Sequence, residues 1–455
     1  MTVLYRARWV IPVTSNPIAE GAIAVAGDRI AGVGRFAEVS GGYPEAQVKD
    51  MGDAVIIPGL INSHTHLELT AMRGFLDEQE SDFFAWLKKL TMARLERMTP
   101  DDLYVSAAWG ACEAARAGVT CVADASDAAE QSMTSLRHAG LRGIVYQESF
   151  GPDPRLAHEN FVKLQDKVAR LRRLETPRVG VGVSPHAAYT VCATQLEMIS
   201  EFALAEKLPL MIHTAESESE SQLLSRGLGP FAEGFAQRGI AWTAPNCSSV
   251  RYLEKHGVLR TRPLLAHCIN VEEGDLEAIR DSGAGIAHCP KSNAKLSHGR
   301  APWARFRAAH IPVGLGSDSV ASNNTCDILE EARFALLLAR AGEAGRDDLQ
   351  IPKASDALEA ATIGGARAMG RAAEIGSLEQ GKQADFAVVS CAGTHQNPIY
   401  DPVGSLIFSS SGSDVMMTVV AGQEIFRDGC LTTLDEAALR ARMDKIAEKL
   451  GQLSN

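Results

Sequence analysis

No pair of cysteines among the nine in this 455-residue chain stands in a CxxC arrangement. The scattered positions, several of them in apolar stretches (Cys121, Cys192, Cys268), exclude a disulfide framework and read as buried free thiols in a reducing cytoplasm. A basic run is missing too. With a formal net charge of −11 and a pI near 5.6, the chain lacks the clustered Lys and Arg that neutralise phosphates, which excludes a nucleic-acid partner. Nothing approaches the roughly 18 consecutive apolar residues of a membrane span. Met1–Pro12 carries Arg6 and Arg8 in a strand-like run without an apolar core or a small-residue cleavage site, so no export signal is expected. Low-complexity linkers and internal repeats are also lacking, which leaves a tightly integrated chain. A cytoplasmic protein with a small-molecule substrate, and with neither membrane nor nucleic acid as partner, is the expectation.

What is present is ordinary globular composition, 45% hydrophobic and 22% charged, at a length that suits one large domain with a smaller companion. The first ~55 residues alternate short β-rich runs (Val3–Val13, Ala22–Ala26, Arg29–Val33) with turns such as Gly27–Asp28. The pattern returns at Ala384–Ser390 and Val415–Val420, with Ala421–Gly422 turning into Gln423–Arg427. Between these ends, eight strand-like runs alternate with helical patterns: Val55–Asn62, Val119–Asp124, Arg142–Gln147, Arg178–Ser184, Leu208–His213, Pro263–His267, Ala284–His288 and Ile311–Ser317. Strands alternating with helices indicate a parallel sheet, and eight of them indicate closure. The expected fold is α/β: a (βα)8 TIM barrel over 58–372 with a small β-sandwich domain from both chain ends, 1–57 plus 373–455. Pro100–Ala117 has helical spacing, acidic residues in its first turn and Gly118 as a stop. Glu436–Leu450 reads as an amphipathic helix packed on the outside.

Catalytic residues of such barrels collect at the C-terminal strand ends. Strand one ends in Asn62-Ser63-His64-Thr65-His66, and residues two apart on a strand face the same side, so both imidazoles can reach one ion. Strand five ends in His213, strand six in His267 and strand eight in Asp318. His-x-His alone is a weak signal, and a lone His267 is as readily a hydrogen-bonded core residue as a metal neighbour. The joint placement at strand ends is what points to a divalent ion, with Zn2+ favoured and Fe2+ or Mn2+ compatible with the same donors. A hydrolase must also move protons, and Glu216, three residues beyond His213, is placed to do so. The later glutamates of Glu216-Ser217-Glu218-Ser219-Glu220 read as a solvated helix start. His138, His158, His256, His298 and His310 read as structural or surface residues.

These residues resemble the amidohydrolase superfamily, in its branch of mononuclear aminohydrolases acting on nucleobases, nucleosides and triazines. The resemblance covers nearly the whole chain. It rests on Pro58-Gly59-Leu60-Ile61-Asn62-Ser63-His64-Thr65-His66, Ser184-Pro185-His186, His213-Thr214-Ala215-Glu216, His288-Cys289-Pro290-Lys291-Ser292-Asn293, Gly314-Leu315-Gly316-Ser317-Asp318 and the closing Gly376–Asp385 segment. It implies that His64, His66, His213 and Asp318 hold the ion, that His267 orients the attacking hydroxide, and that Glu216 carries a proton to a ring nitrogen while Asp318 accepts one from water. The implied reaction is hydrolytic release of ammonia from an aromatic C–NH2 carbon. The bridging lysine of binuclear relatives has no counterpart in Arg178–His186; His186 is implied to contact substrate instead, the alternative being a supporting structural role.

The form His64-Thr65-His66-Leu67-Glu68-Leu69, followed by Phe83, Phe84, Trp86 and Leu87, resembles deaminases of aminodeoxyfutalosine more than those of adenosylhomocysteine or methylthioadenosine. Trp86 with the two phenylalanines would wall the ring, or would be plain core. Glu68 would take ribose hydroxyls, or pair with Arg73. The third-strand segment Tyr146-Gln147-Glu148 offers no arginine to clamp a carboxylate. A 6-aminopurine nucleoside is therefore the leading substrate class. The alternatives are deamination or dechlorination of a free heterocycle (guanine, a pterin, a triazine) and a non-catalytic barrel scaffold. The resemblance further implies a homo-oligomer, dimer or larger, and Leu76–Lys89 is the candidate loop over the site.

Overall fold

The computed structural model describes residues 2–342 and 350–452. Eight parallel strands carry helices on their outer side. The first four, Leu60–Thr65, Val119–Ser126, Arg142–Ser149 and Val179–Pro185, pair in order, as do Met211–Thr214, Leu264–His267, Gly285–His288 and Val313–Leu315. Parallel bridges join the two halves at both seams, Val183 with Leu210 and Ala187 with His213 on one side, Thr65 with Asp318 on the other. The ring is closed, so no sheet edge is left unpaired and the strand ends converge on one rim.

Both chain ends build a second, nine-stranded sheet that includes Thr2–Val10, Ile18–Ala26, Phe386–Ser390 and Val415–Val420. Its core is separate from the barrel's and contains Tyr5, Val10, Ile23, Ile56, Phe386 and Val419. The run expected as one strand from Val55 is two. Ala54–Pro58 pairs antiparallel with Phe386–Ser390, and only Leu60–Thr65 enters the barrel. The break falls at Gly59, where a Cβ would stand 2.0 Å from Thr120 Oγ1; only a glycine lets the chain pass between the two sheets there. Gly59 N–H donates to the Asp385 carbonyl (3.0 Å), while the Asp385 carboxylate accepts from Arg142 Nε (2.7 Å) and from the Ala421 amide (2.7 Å). This buried pair bolts the end sheet to the foot of the third barrel strand, and removing one partner costs about 3–5 kcal/mol.

Local signals explain the helices. Thr99 and Asp102 form a capping box ahead of Pro100–Arg116, satisfying amides that the helix itself leaves free. The helix Glu436–Gly451 lies against it through Arg442–Asp101 (2.6 Å) and Lys449–Asp102 (2.8 Å). The segment expected as a loop after strand one is mostly helix, Phe83–Arg97, started by the Asp82 carboxylate accepting from Ala85 N (3.1 Å). All nine cysteines are free, and Cys121, Cys192 and Cys268 are buried. Among the described residues no helix is long and apolar enough to cross a membrane.

Candidate active site and metal centre

At the rim, backbone geometry aims the side chains. His267, Asp318 and Ala215 adopt left-handed φ values of 73°, 56° and 52°, a conformation that costs an ordinary residue about 1–2 kcal/mol and concentrates at functional sites. Gly316 has no room for a side chain: a Cβ there would lie 2.8 Å from His64 Cβ and 2.9 Å from His64 N. The last barrel strand thereby closes tightly on the first, and Asp318 N donates to His64 O (2.9 Å).

Four expected ligands come together. Asp318 Oδ1 lies 3.3 Å from His64 Nε2 and 3.6 Å from His66 Nε2, and His66 Nε2 lies 3.2 Å from His213 Nε2. The imidazoles are set by their outer nitrogens. His213 Nδ1–H donates to the His186 carbonyl at 2.9 Å, which keeps the proton on Nδ1 and leaves Nε2 a bare lone pair pointing inward. His267 Nδ1 is likewise held by Asn293 Oδ1 at 2.9 Å. Burial and neighbouring imidazoles push His66 down to about 3, so it is neutral. The buried Nε2 atoms of His64 and His267 find no hydrogen-bond partner among the described residues. Asp318 Oδ2 accepts from Ser292 Oγ (2.5 Å) and Ser322 Oγ (3.0 Å), leaving its Oδ1 for the cluster. Inward lone pairs, an orphaned Nε2 and one carboxylate oxygen are a donor set that fits a single divalent ion.

Glu216 is buried beside this cluster, its Oε1 3.7 Å from His267 Nε2. Burial first, and then the Asp318 carboxylate, raise its carboxyl to about 8, so it carries a proton at neutral pH. Three partners were not legible in the sequence. Tyr189 donates to Glu216 Oε2 (3.1 Å). His298, expected as structural or surface, is half-buried as a residue but turns its ring inward, with Nδ1 3.7 Å from Glu216 Oε1 and the ring edge-on to Phe83. Its position follows from the Pro290–Lys295 helix folding back over the site, which periodicity does not reveal. Glu220, expected as solvated, is fully buried and accepts from the amides of Ala215 (3.1 Å) and Glu216 (2.9 Å); it pins the turn that carries Glu216. His138, His158 and His310 are exposed and His256 is half-buried.

A cavity of about 530 Å³ opens onto the cluster, and His186, Glu68 and Trp86 line it. His186 is fixed by Thr190 Oγ1 (2.8 Å), with its ring against those of His213 and Phe150. Trp86, 6% exposed, stacks on Phe83 at 6.0 Å; it serves core and cavity wall together. The pairing of Glu68 with Arg73 is corrected. Glu68 meets Arg94 Nε at 3.2 Å and accepts from Ser126 Oγ and the Ala128 amide, whereas Arg73 pairs with Glu113. The Phe83–Arg97 helix brings Arg94 to Glu68, while Arg73, at the end of the Leu67–Met72 turn, reaches Glu113 instead.

A model of the amidohydrolase family matches residues 55–425. A protein of Syntrophobacter fumaroxidans named 5-methylthioadenosine/S-adenosylhomocysteine deaminase is 31% identical over 433 residues, covering 94% of this chain and 93% of its own. One of the same name from Haloarcula marismortui is 31% identical over 403 residues, 88% of each chain. Among solved structures, an adenosine deaminase from Xanthomonas campestris with bound zinc superposes with a TM-score of 0.86 at 26% identity, over 99% of this chain and 98% of that one. The chain belongs to the amidohydrolase family, and it is a hydrolase acting on C–N bonds other than peptide bonds.

Proposed function

We propose that this protein is a zinc-dependent deaminase of a 6-aminopurine nucleoside. The observation that carries it is the buried Glu216 carboxyl standing beside the convergent set His64, His66, His213 and Asp318, at the end of a cavity of about 530 Å³, a size in the range of small-molecule sites. The names of the two relatives and of the zinc-bound structural neighbour support the same substrate class.

His64, His66, His213 and Asp318 would hold the ion, which supplies Lewis acidity that brings the pKa of water toward neutrality. His267, its ring fixed by Asn293, orients the attacking oxygen through Nε2. Asp318 receives the proton that water gives up. Glu216 donates its proton to the ring nitrogen next to the attacked carbon, so negative charge does not accumulate on the purine, and proton return to the amine releases ammonia. His186 contacts the ring, Trp86 covers it, and Glu68 faces the sugar while Arg94 holds its carboxylate in place. The active unit is a homo-oligomer.

The test is ammonia release by zinc-loaded protein from aminodeoxyfutalosine, adenosine, methylthioadenosine, adenosylhomocysteine, guanine, a pterin and a triazine. A strong preference for one adenine nucleoside is expected. Rapid turnover of a free base alone would overturn the nucleoside class, and no ammonia from any compound would overturn deamination.

A further inference from the structure

His298 sits in a tight turn, between Ser297 and Gly299 at left-handed φ values of 58° and 109°, and its amide donates to the Asn293 carbonyl (2.9 Å). The ring is turned inward. Only 6% of the side chain is exposed, and Phe83 closes over it with ring centroids 4.6 Å apart. Neither ring nitrogen has a hydrogen-bond partner among the described residues. A neutral imidazole carries one N–H and one lone pair, and burying both unpaired costs stability. Packing against Phe83 would be served better by an apolar ring, so the two idle nitrogens indicate a partner that forms only during the reaction.

That partner is within reach. Nδ1 stands 3.7 Å from Glu216 Oε1, just beyond hydrogen-bonding distance. Once Glu216 has passed its proton to the substrate's ring nitrogen, a carboxylate is left at a position 4% exposed, and a buried anion needs donors. Tyr189 supplies one, to Oε2 (3.1 Å). Oε1 takes no hydrogen bond among the described residues and faces two ring nitrogens. His267 Nε2, also at 3.7 Å, has no hydrogen to give, because the proton of that imidazole sits on Nδ1, facing Asn293 Oδ1 (2.9 Å). His298 is under no such constraint and can carry its hydrogen on Nδ1.

We propose that His298 is a positioning residue for the proton carrier: its Nδ1–H closes on Glu216 Oε1 while Glu216 is a carboxylate and opens again when the proton returns. The proposal rests on the deaminase reading above. A charge-assisted N–H···O bond is about 2.7–2.9 Å long, so the two groups approach by about 1 Å, and no hydrogen bond holds the imidazole back. No proton changes hands between the two side chains; the imidazole stays neutral and lends only its N–H.

Two substitutions separate donor from packing. His298→Phe keeps a ring and has no N–H, whereas His298→Asn loses the ring and places an amide nitrogen where Nδ1 stood. In zinc-loaded protein given the nucleoside it deaminates fastest, His298→Phe should lower kcat about tenfold or more, the scale of one charge-assisted hydrogen bond, with KM within about twofold. His298→Asn should stay within about threefold of wild type. Placed on Glu216→Gln, which never becomes an anion, His298→Phe should cost nothing further. Denaturant unfolding adds a readout free of activity: His298→Phe should unfold at the same or a higher denaturant concentration than wild type, since it removes two unpaired buried polar atoms. Wild-type kcat in His298→Phe, or a lower kcat in His298→Asn than in His298→Phe, would overturn the assignment and leave deamination standing. So would an equal loss on the Glu216→Gln background, or a marked drop in the unfolding midpoint of His298→Phe, which would mean that the nitrogens already serve the resting fold. No ammonia from any nucleoside with the wild-type protein would sink the deaminase reading, and this role of His298 with it.

Discussion

Tyr189 and Glu216, 27 residues apart, share a buried hydrogen bond of 3.1 Å from the phenol to Oε2. That bond fixes the carboxyl so that Oε1 faces His267 and His298, each at 3.7 Å. Tyr189→Phe should therefore lower kcat about tenfold with little change in KM. A residue acting only through Glu216 should add nothing further once Glu216 is already Gln. Steady-state kinetics of the two single variants and the double variant test this. Additive losses would show that Tyr189 acts elsewhere.

Glu216→Ala should reduce turnover by ~10²-fold or more while folding and metal content stay intact. The carboxyl must be protonated to act as an acid, and its value of about 8 sets the sign: activity falls as pH rises through that region. A cation in the neighbouring ligand set favours the carboxylate, so the basic limb of the kcat profile should lie at or below about 8. A profile flat to pH 9 would contradict the assignment.

Metal analysis separates ligands from neighbours. His213→Ala and Asp318→Asn should lose bound ion, whereas Asn293→Ala should keep the ion and lower kcat roughly tenfold by freeing the His267 ring, a supporting contact of a kind worth 10–100-fold at metal sites. Chelation should abolish activity and added zinc should restore it. Full metal occupancy in Asp318→Asn would count against its place in the set.

Arg94 is the counterion of a nearly buried Glu68 and of Asp127. Arg94→Met leaves Glu68 with only Ser126 and the Ala128 amide, so denaturant unfolding should show a loss of about 3 kcal/mol or more. A change under 1 kcal/mol would mean the two remaining donors suffice.

Asp124 accepts from Leu67 N (2.7 Å) yet is fully buried, and burial raises its carboxyl to about 8. A raised carboxyl binds its proton more tightly in the folded state, so its contribution to stability is complete below the unfolded value near 4 and is lost as pH rises toward 8. Asp124→Asn should flatten the decline in unfolding free energy between pH 5 and 8, by up to ~1.4 kcal/mol per pH unit for this one proton. Parallel pH profiles for variant and wild type would refute that origin.

The sequence by itself determined the barrel and its ligand-bearing strand ends. Strand and helix periodicities are local, and His64, His66, His213, His267 and Asp318 each stand at the end of a run whose pattern is self-contained. The candidate proton carrier was legible as well, because Glu216 follows its strand at once. Tertiary structure alone decided what surrounds it. Tyr189 and His298 reach Glu216 from two remote segments, and burial, which no local pattern reports, makes the nearby Glu220 a turn anchor instead of a solvated glutamate. The choice of Arg94 over Arg73 for Glu68 was set by tertiary packing, which brings the Phe83–Arg97 helix to Glu68 and leaves Arg73 paired with Glu113. Gly59, inside an unbroken apolar run, divides two sheets only because Thr120 crosses its path. Contacts between residues remote in sequence depend on the closure of the ring, and that closure places the chemistry.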